Sequence, residues 1–214
     1  MTWEILDILG AIAFGISGAG VASEENYDLL GAYILGFTTA FGGGTIRNLL
    51  LGSSVEGVWI QTHLFIISFV SITFSFFFPH TWKANFKHSA VFFDAVGLAA
   101  FAIQGANYAV SIEAPVVAVV TAAVLTGSGG GIVRDLLAGR KPMIFYSEIY
   151  ALWAGLAGLF IAFGWISRPY VEIVLFVALI ILRVASVYFK WTLPHYFSAQ
   201  KRIGFDPEKE KAES

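Results

Sequence analysis

Two glycine triplets, Gly42 to Gly44 and Gly129 to Gly131, are the first candidates for chemistry, because each is followed three residues later by an arginine, Arg47 or Arg134. Each glycine costs a helix roughly 1 kcal/mol relative to alanine and lets the backbone leave helical geometry. A broken helix presents free carbonyls that suit cations and free amides that suit anions. The triplets therefore predict an ion path at interrupted helices, with a kink or close packing by small residues as the alternative.

The two arginines need partners if their segments cross a membrane, where an unpaired charge costs at least about 2.5 kcal/mol. Asp7 and Asp94 precede Arg47 and Arg134 at the same spacing in the sequence. We therefore predict two ion pairs, Asp7 with Arg47 and Asp94 with Arg134. The alternative to a role in an ion path is that these pairs only fix the packing.

Further polar side chains accompany the triplets. Asp135 follows Arg134, whereas Asn48 follows Arg47, so the two halves differ by one charge. Gln104 and Asn107 are polar enough to face a lumen or to link helices, and Arg183 is expected to extend towards the membrane interface. Hydroxyl groups beside the triplets offer oxygens to a dehydrated cation, unless they bond back to their own helix; they belong to Thr38, Thr39, Thr126 and Ser128.

Several classes of function find no support in the sequence. The chain has no cysteine, its histidines lack metal-ligand spacing, and its net charge is -2. The segment from Gly127 to Asp135 lacks the Gly-Lys-Ser/Thr ending of a phosphate-binding loop. Ser128 has no histidine or lysine in a neighbouring apolar span to activate it. We therefore expect no enzyme, no catalytic residue, no metal or cofactor, and no nucleic-acid partner.

The elements that position these residues are predicted to be transmembrane helices. The chain is 57% hydrophobic and 13% charged, with a mean hydropathy of +0.73, so lipid must be its main solvent. A spanning helix needs roughly 20 mostly apolar residues. Seven segments qualify, and they predict a multi-pass protein of the cell membrane; they run from Trp3 to Ser23, Asp28 to Leu51, Val58 to Phe78, Ser89 to Val110, Pro115 to Leu137, Tyr146 to Trp165 and Tyr170 to Phe189.

The sequence contains an internal repeat at an offset of 87 residues, in which 16 of 46 aligned positions from Asp7 to Gly52 match those from Asp94 to Gly139. Each unit has three spans, so the second copy must be inverted, and inverted repeats place a binding or permeation site near the midplane. We predict a first three-helix repeat over 1–79, a second over 80–166, a seventh transmembrane helix over 167–190 and a polar cytoplasmic tail over 191–214.

Basic residues set the expected orientation, because lysine and arginine are retained on the cytoplasmic side. They fall between spans three and four, between spans five and six, and after span seven, whereas Arg168 is the basic residue near the other side. The N-terminus is therefore predicted outside and the C-terminus in the cytoplasm. The basic residues concerned are Lys83, Lys87, Arg140, Lys141, Lys190, Lys201 and Arg202.

The two motifs GGGTIRNLLLG and GGGIVRDLLAG, each preceded by a helix that starts at an aspartate and contains AFGISGA or AFAIQGA, resemble the prokaryotic trimeric intracellular cation (TRIC) channel family. The same domain is also described as a glycine transporter domain. The resemblance covers both repeats, and Asn48 departs from the acidic residue that the motif usually has.

This resemblance implies a homotrimer in the membrane lipid, in which each protomer has its own pore for monovalent cations, chiefly potassium, with sodium as the second candidate. The pore would be lined by helices two and five at the glycine triplets, with both arginines nearby. The alternative function is a secondary transporter for a small amino acid such as glycine, and a structural scaffold is a third, remoter possibility.

Overall fold

A computed structural model of the chain describes residues 2–54, 60–78, 86–145, 149–166 and 168–191. These residues form seven α-helices, as the apolar segments predict, and a short 3-10 turn at Met143–Phe145. The predicted starts of spans three and six, Val58 and Tyr146, and the tail beyond residue 191 lie outside the described residues. The helices are α1 Thr2–Glu24, α2 Leu29–Leu50, α3 Thr62–Phe77, α4 Phe86–Ser111, α5 Val116–Leu137, α6 Tyr150–Ala162 and α7 Pro169–Tyr188.

Five of these helices, α1, α2, α4, α5 and α7, are long and apolar enough to cross a membrane. Helices α3 and α6 are equally apolar but shorter, with 16 and 13 residues. At 1.5 Å per residue, α3 rises only about 24 Å, less than the roughly 30 Å hydrocarbon core. The protein is a multi-pass membrane protein in which these two helices flank longer ones.

The helices pack as two equivalent triads. Helix α1 contacts α2 and α3, and α2 contacts α3; in the same way α4 contacts α5 and α6, and α5 contacts α6. The triads meet where α1 packs on α4 and α2 packs on α5, while α7 packs on α4 and α6. The buried core between the helices is rich in alanine, which lets helix backbones approach closely in lipid.

The contacts between the triads run antiparallel, as an inverted repeat requires. The ring of Phe14 lies directly over Gly97, and the ring of Phe101 lies over Gly10. The two rings also meet edge to face, with centroids 5.3 Å apart. Since residue numbers rise along α1 as they fall along α4, the two triads enter the membrane from opposite faces. The predicted inverted architecture is confirmed, whereas the domain boundaries and the orientation of the termini stay predictions.

Helices α2 and α5 end at equivalent glycines. Gly52 has φ 66° and Gly139 has φ 69°, the left-handed conformation that glycine adopts without a steric penalty just after a helix. The NH groups of the residues after them, Ser53 and Arg140, bond back to the carbonyl oxygens of Asn48 and Asp135 at 2.9 and 2.8 Å. These turns fix where the last helical turn of each arginine-bearing helix ends.

Candidate functional site

The two glycine triplets lie where α2 and α5 cross, but neither helix is interrupted there. Both run as continuous α-helix from Leu29 to Leu50 and from Val116 to Leu137. The expectation of broken helices is therefore wrong, because the triplets pack closely within intact helices, whereas their role in an ion path stays a prediction. The physical reason is that backbone groups deep in a membrane keep their intrahelical hydrogen bonds when no other partner replaces them.

The central glycine of each triplet is where the two backbones touch. A Cβ atom on Gly43 would overlap the carbonyl oxygen of Thr126, and a Cβ on Gly130 would overlap that of Thr39. An added Cβ on Gly129 would lie 3.1 Å from the Cα atom of Gly43. The crossing is therefore tighter than any side chain allows, and we call it the glycine crossing.

The hydroxyl groups beside the triplets bond to their own helices. Thr39 Oγ1 donates to the carbonyl oxygen of Leu35 at 2.5 Å, and its repeat equivalent Thr126 donates to Ala122 at 2.6 Å. Ser128 donates to Val124 at 2.6 Å, and Thr38 donates to Ile34 at 2.7 Å. Two roles were open for these hydroxyl groups, binding a cation or bonding to their own helix, and the structure shows the bonds to their own helix.

In the second triad Arg134 is surrounded by carboxylates. Its Nη1 lies 3.2 Å from Asp94 Oδ1, and its Nε and Nη2 both donate to Asp135 Oδ1 at 2.8 Å. Nη1 also donates to Ser17 of α1 at 2.7 Å. Arg134 is 2% exposed and Asp94 is 1% exposed. The predicted Asp94–Arg134 ion pair is confirmed, and the arginine also reaches across to the first triad.

In the first triad Arg47 has different partners. Its Nε and Nη2 donate to Asn48 Oδ1 at 3.0 and 2.8 Å, and Nη1 donates to Gln104 Oε1 at 2.7 Å. The guanidinium carbon lies 4.1 Å from the centre of the Tyr108 ring, a cation–π contact. Within the described residues no ion pair joins Arg47 to Asp7, whose Oδ1 is buried without a hydrogen-bond partner. Asp7 and Arg47 do not form the direct ion pair that the sequence predicts, although the two charges attract each other.

The difference between the halves follows from the side chain opposite each arginine. Gln104 is the repeat equivalent of Ser17, and both receive a hydrogen bond from Nη1 of the arginine in the other triad. The longer glutamine reaches the guanidinium from α4 and takes the hydrogen bond that Asp7 was predicted to accept. Gln104, which is predicted to face a lumen or to link helices, does both, since it also lines a cavity between the triads.

Helix α7 carries two buried charges that attach it to α4. Arg183 is 1% exposed and its Nη2 lies 4.0 Å from Asp94 Oδ2. Glu172 accepts a hydrogen bond from Asn107 at 2.9 Å. The expectation that Arg183 extends to the interface is wrong, because the carboxylate of Asp94 lies within the bundle beside it. Asp94 is thus shared by arginines of α5 and α7.

Two cavities flank the glycine crossing, one towards each end of the bundle. The Asp7-end cavity has a volume of about 140 Å³ and is lined by polar groups that include Asp7, Arg47, Asn48, Gln104 and Tyr108. The Glu24-end cavity has a volume of about 790 Å³, with mostly apolar walls from α4 and α7. Its polar lining residues are Ser17, Glu24, Asp94, Arg134, Asp135, Arg140 and Lys141.

The two cavities share no lining residue. The ring pair of Phe14 and Phe101 lies between the two halves, and Phe101 forms part of the wall of the Asp7-end cavity. Phe14 is completely buried. In this conformation the two cavities are separated by the phenylalanine pair and by the glycine crossing.

An ion-pair cluster stabilises the Glu24 end of the bundle, where α1 ends and the chain leaves α5. Arg140 donates to Glu25 at 2.5 Å and to Glu24 at 2.6 Å, so the turn after α5 is tied to the end of α1. Partial burial lowers the pKa of Arg140, but the hydrogen bonds to Glu24 and Glu25 outweigh this effect and raise it above its ordinary value. The guanidinium therefore stays charged at any physiological pH.

The chain is similar in sequence to a known family of membrane proteins. A family model described as glycine transporter matches residues 4–80 and again residues 91–166. The UPF0126 membrane protein YvgT of Bacillus subtilis is 54% identical over 91% of this chain and 96% of its own length. The UPF0126 inner membrane protein YadS of Escherichia coli is 38% identical over 72% of this chain and 74% of its own length.

Solved structures share the fold. A chain from work on conductance through TRIC cation channels is 37% identical, with a TM-score of 0.79, over 90% of this chain and 96% of that one. The TRIC trimeric intracellular cation channel orthologue from Rhodobacter sphaeroides is 34% identical, with a TM-score of 0.80, over 88% and 98%. The chain therefore belongs to the membrane-protein family described as glycine transporter, which includes the UPF0126 proteins and the prokaryotic TRIC channels.

Proposed function

We propose that this protein is a passive channel for monovalent cations, chiefly potassium, with one permeation path in each protomer. The path runs from the Asp7-end cavity, past Phe101 and the glycine crossing, to the Glu24-end cavity. The observation that carries the proposal is the presence of two charged cavities on opposite sides of one crossing of α2 and α5. Relatives 32 to 37% identical in sequence are described as TRIC channels.

The charges along this path suit a channel that relies on hydration more than on a fixed ion site. Each cavity is lined by as many acidic as basic side chains, with Asp7 and Arg47 at one end. At the other end Glu24, Asp94 and Asp135 balance three basic residues. Opening would require α2 and α5 to move at the glycine crossing, where the absence of side chains lets one helix slide on the other.

Planar-bilayer recording of the purified protein tests the proposal. Unitary current steps whose reversal potential follows an imposed potassium gradient are expected. Gly43→Ala should change the steps, and Gly42→Ala, whose Cβ would meet its nearest neighbour at 3.8 Å, serves as its matched control. If the protein gives no unitary conductance while it supports saturable glycine uptake, the channel proposal fails.

We also propose that the protein assembles as a homotrimer, since a relative 34% identical is described as a trimeric channel. Mass determination of the detergent-solubilised protein by light scattering should give three copies. A monomer or dimer at all protein concentrations would contradict it.

The orientation with the N-terminus outside can be tested because the chain has no cysteine. Glu113 and Lys141 are exposed residues at opposite ends of the bundle. In intact cells a membrane-impermeant maleimide should label the Glu113→Cys variant and should label Lys141→Cys only after permeabilisation. The reverse pattern would invert the topology.

A second candidate function is secondary transport of a small amino acid such as glycine. The specific observation in its favour is the charge arrangement of the Asp7-end cavity, where an acidic and a basic group face one small space without pairing to each other. The family model's description agrees with it. Glycine counterflow in proteoliposomes, without unitary currents, would favour this candidate over the channel.

A further inference from the structure

The two arginines of the repeat are held with the same geometry by residues of different charge. Each guanidinium uses Nε and Nη2 to donate to one oxygen of the following residue, at distances between 2.8 and 3.0 Å. That residue is Asp135 after Arg134 and the neutral Asn48 after Arg47. The hydrogen bonds are therefore equivalent in the two halves, whereas one negative charge is absent from the first half.

Helix α7 supplies the charge that balances Asp135 in the second half. The Nη2 of Arg183 lies 4.0 Å from Asp94 Oδ2, on the opposite side of the carboxylate from Arg134, whose Nη1 lies 3.2 Å from Oδ1. The buried cluster of these four residues contains two acidic and two basic groups, and none of the four is more than 4% exposed. Buried charges are tolerated when they are balanced in this way.

The first half is neutral for a different reason. Helix α7 follows the repeat and has no second copy in the sequence, so the first half has no equivalent of Arg183. Among the described residues, Asp7 and Arg47 are the two charged groups that line the Asp7-end cavity. Their charges cancel only because Asn48 is neutral. An aspartate at this position, as in the other half, would leave one negative charge in excess.

The charge balance of this cavity matters because the space is small. The Asp7-end cavity has a volume of about 140 Å³, against about 790 Å³ for the Glu24-end cavity. It extends to the glycine crossing, since Gly44 lines it and a Cβ on Gly44 would lie 3.8 Å from Arg47 Nη2. Charges in so small a space act on an ion at short range and with little screening. One added charge therefore changes the energies of a cation and of an anion in opposite directions.

We propose that Asn48 sets the selectivity of this channel between potassium and chloride, by keeping the Asp7-end cavity free of excess negative charge. The inference rests on the proposed channel function. A cavity with equal numbers of acidic and basic groups adds little to the preference of the path for cations. An aspartate at position 48 would attract potassium and repel chloride at the narrower end of the path.

Reversal potentials in planar bilayers under a potassium chloride gradient measure the ratio of potassium to chloride permeability. Asn48→Asp should raise this ratio at least about threefold, because the added charge acts on the two ions with opposite sign. Asp7→Asn leaves Arg47 in excess and should lower the ratio by a similar factor. The double variant Asp7→Asn/Asn48→Asp has equal numbers of charges again and should return the ratio close to that of the wild type.

The Asn48→Asp substitution changes the charge at nearly constant geometry. An aspartate can accept both hydrogen bonds that Arg47 donates to Asn48, and the loss is the 3.3 Å bond from Asn48 Nδ2 to the carbonyl oxygen of Ser54. The gain in selectivity should shrink in concentrated salt, because the Debye length falls from about 10 Å at 0.1 M to about 3 Å at 1 M. A purely structural effect of the substitution would not depend on salt in this way.

A matched control makes the same chemical change away from both cavities. Asn26 is exposed in the turn after α1, and its φ of 57° is a conformation that aspartate also tolerates. Asn26→Asp should leave the permeability ratio unchanged. A rise equal to that of Asn48→Asp would show that any added negative charge has this effect, and it would overturn the assignment to Asn48.

The remaining outcomes separate this inference from the channel proposal. Unitary currents with an unchanged permeability ratio in Asn48→Asp overturn the inference and leave the channel proposal intact. If Asn48→Asp does not yield folded protein, as judged by gel filtration and thermal unfolding, Asp7→Asn decides, and an unchanged ratio in that variant overturns the inference. Absence of unitary currents in the wild-type protein overturns the channel proposal and this inference together.

Discussion

Replacing Gly43 by alanine tests the role of the glycine crossing most directly. The new Cβ would overlap the carbonyl oxygen of Thr126 and would also lie 3.0 Å from that of Leu125. Both are backbone atoms of α5, so no side-chain rotation relieves the overlap and α2 must move away by roughly 1 Å to restore van der Waals separation. Overpacking of this kind costs about 1–3 kcal/mol.

The adjacent Gly42→Ala substitution isolates that cost. It receives the same gain of roughly 1 kcal/mol in helix propensity, but its Cβ would lie 3.8 Å from its nearest neighbour, the Cα atom of Gly130. The difference between the two variants is therefore the overlap alone. For a chain of this size 1 kcal/mol shifts the melting temperature by about 2–4 °C, so Gly43→Ala should melt about 2–12 °C below Gly42→Ala.

Thermal unfolding of both variants in the same detergent, followed by tryptophan fluorescence, measures this difference. Gly130→Ala should behave as Gly43→Ala does, because it overlaps the carbonyl oxygen of Thr39 in the equivalent position. Equal melting temperatures for Gly42→Ala and Gly43→Ala would refute the argument, since they would mean that α2 and α5 are not in backbone contact.

Three other substitutions, the first of them with Asp7→Asn as its control, test the remaining contacts. Asp94→Asn leaves the buried Arg134 without one of its two carboxylates and should cost about 3–5 kcal/mol in unfolding free energy; Asp7→Asn breaks no ion pair of the described residues and should cost far less, and a similar loss for both would contradict the assignment. Arg140→Gln should cost at most about 1 kcal/mol, because its pairs with Glu24 and Glu25 are a third exposed, and this loss should shrink in high salt. Phe101→Ala removes one ring of the pair between the cavities and should raise the open probability in bilayer recordings; an unchanged value would show that this ring does not limit the path.

Much of the fold follows from the sequence because two strong signals agree. Hydropathy alone locates the seven helices, since lipid leaves no other structure for long apolar segments. The repeat then determines the antiparallel arrangement, because a unit with an odd number of spans must invert. What hydropathy could not predict is the short length of α3, whose helix ends at Phe77 but begins only at Thr62.

The site was predicted less completely, because partner choice depends on side-chain reach. Asp94 and Arg134 pair as expected, and Ser17 opposite them is short enough to share the guanidinium. At the equivalent place Gln104 is longer and takes the hydrogen bond itself. A repeat alignment shows that the two positions correspond, but it does not show which of two polar groups accepts the hydrogen bond from the arginine.

The glycine triplets do not interrupt their helices, for a related reason. Three glycines in a row lower helix propensity, and that local argument favours an interruption. The energy that decides the matter comes from the other triad, whose α5 backbone packs directly against Gly43 and is not visible in the α2 sequence. Tertiary contact overrides local preference here.

The hydrogen bonds that cross between the triads also constrain biosynthesis. Arg47 enters the bilayer before Gln104 has been translated, and the ribosome needs a further 57 residues to reach it. At about 5–20 residues per second this delay is about 3–11 s, during which Asn48 is the only one of the two hydrogen-bond acceptors already made. The delay is longer for Ser17, because its hydrogen-bond donor Arg134 is translated 117 residues later. A nascent chain stalled between the repeats would thus hold the charged side chain of Arg47 in lipid without its final hydrogen-bond partner.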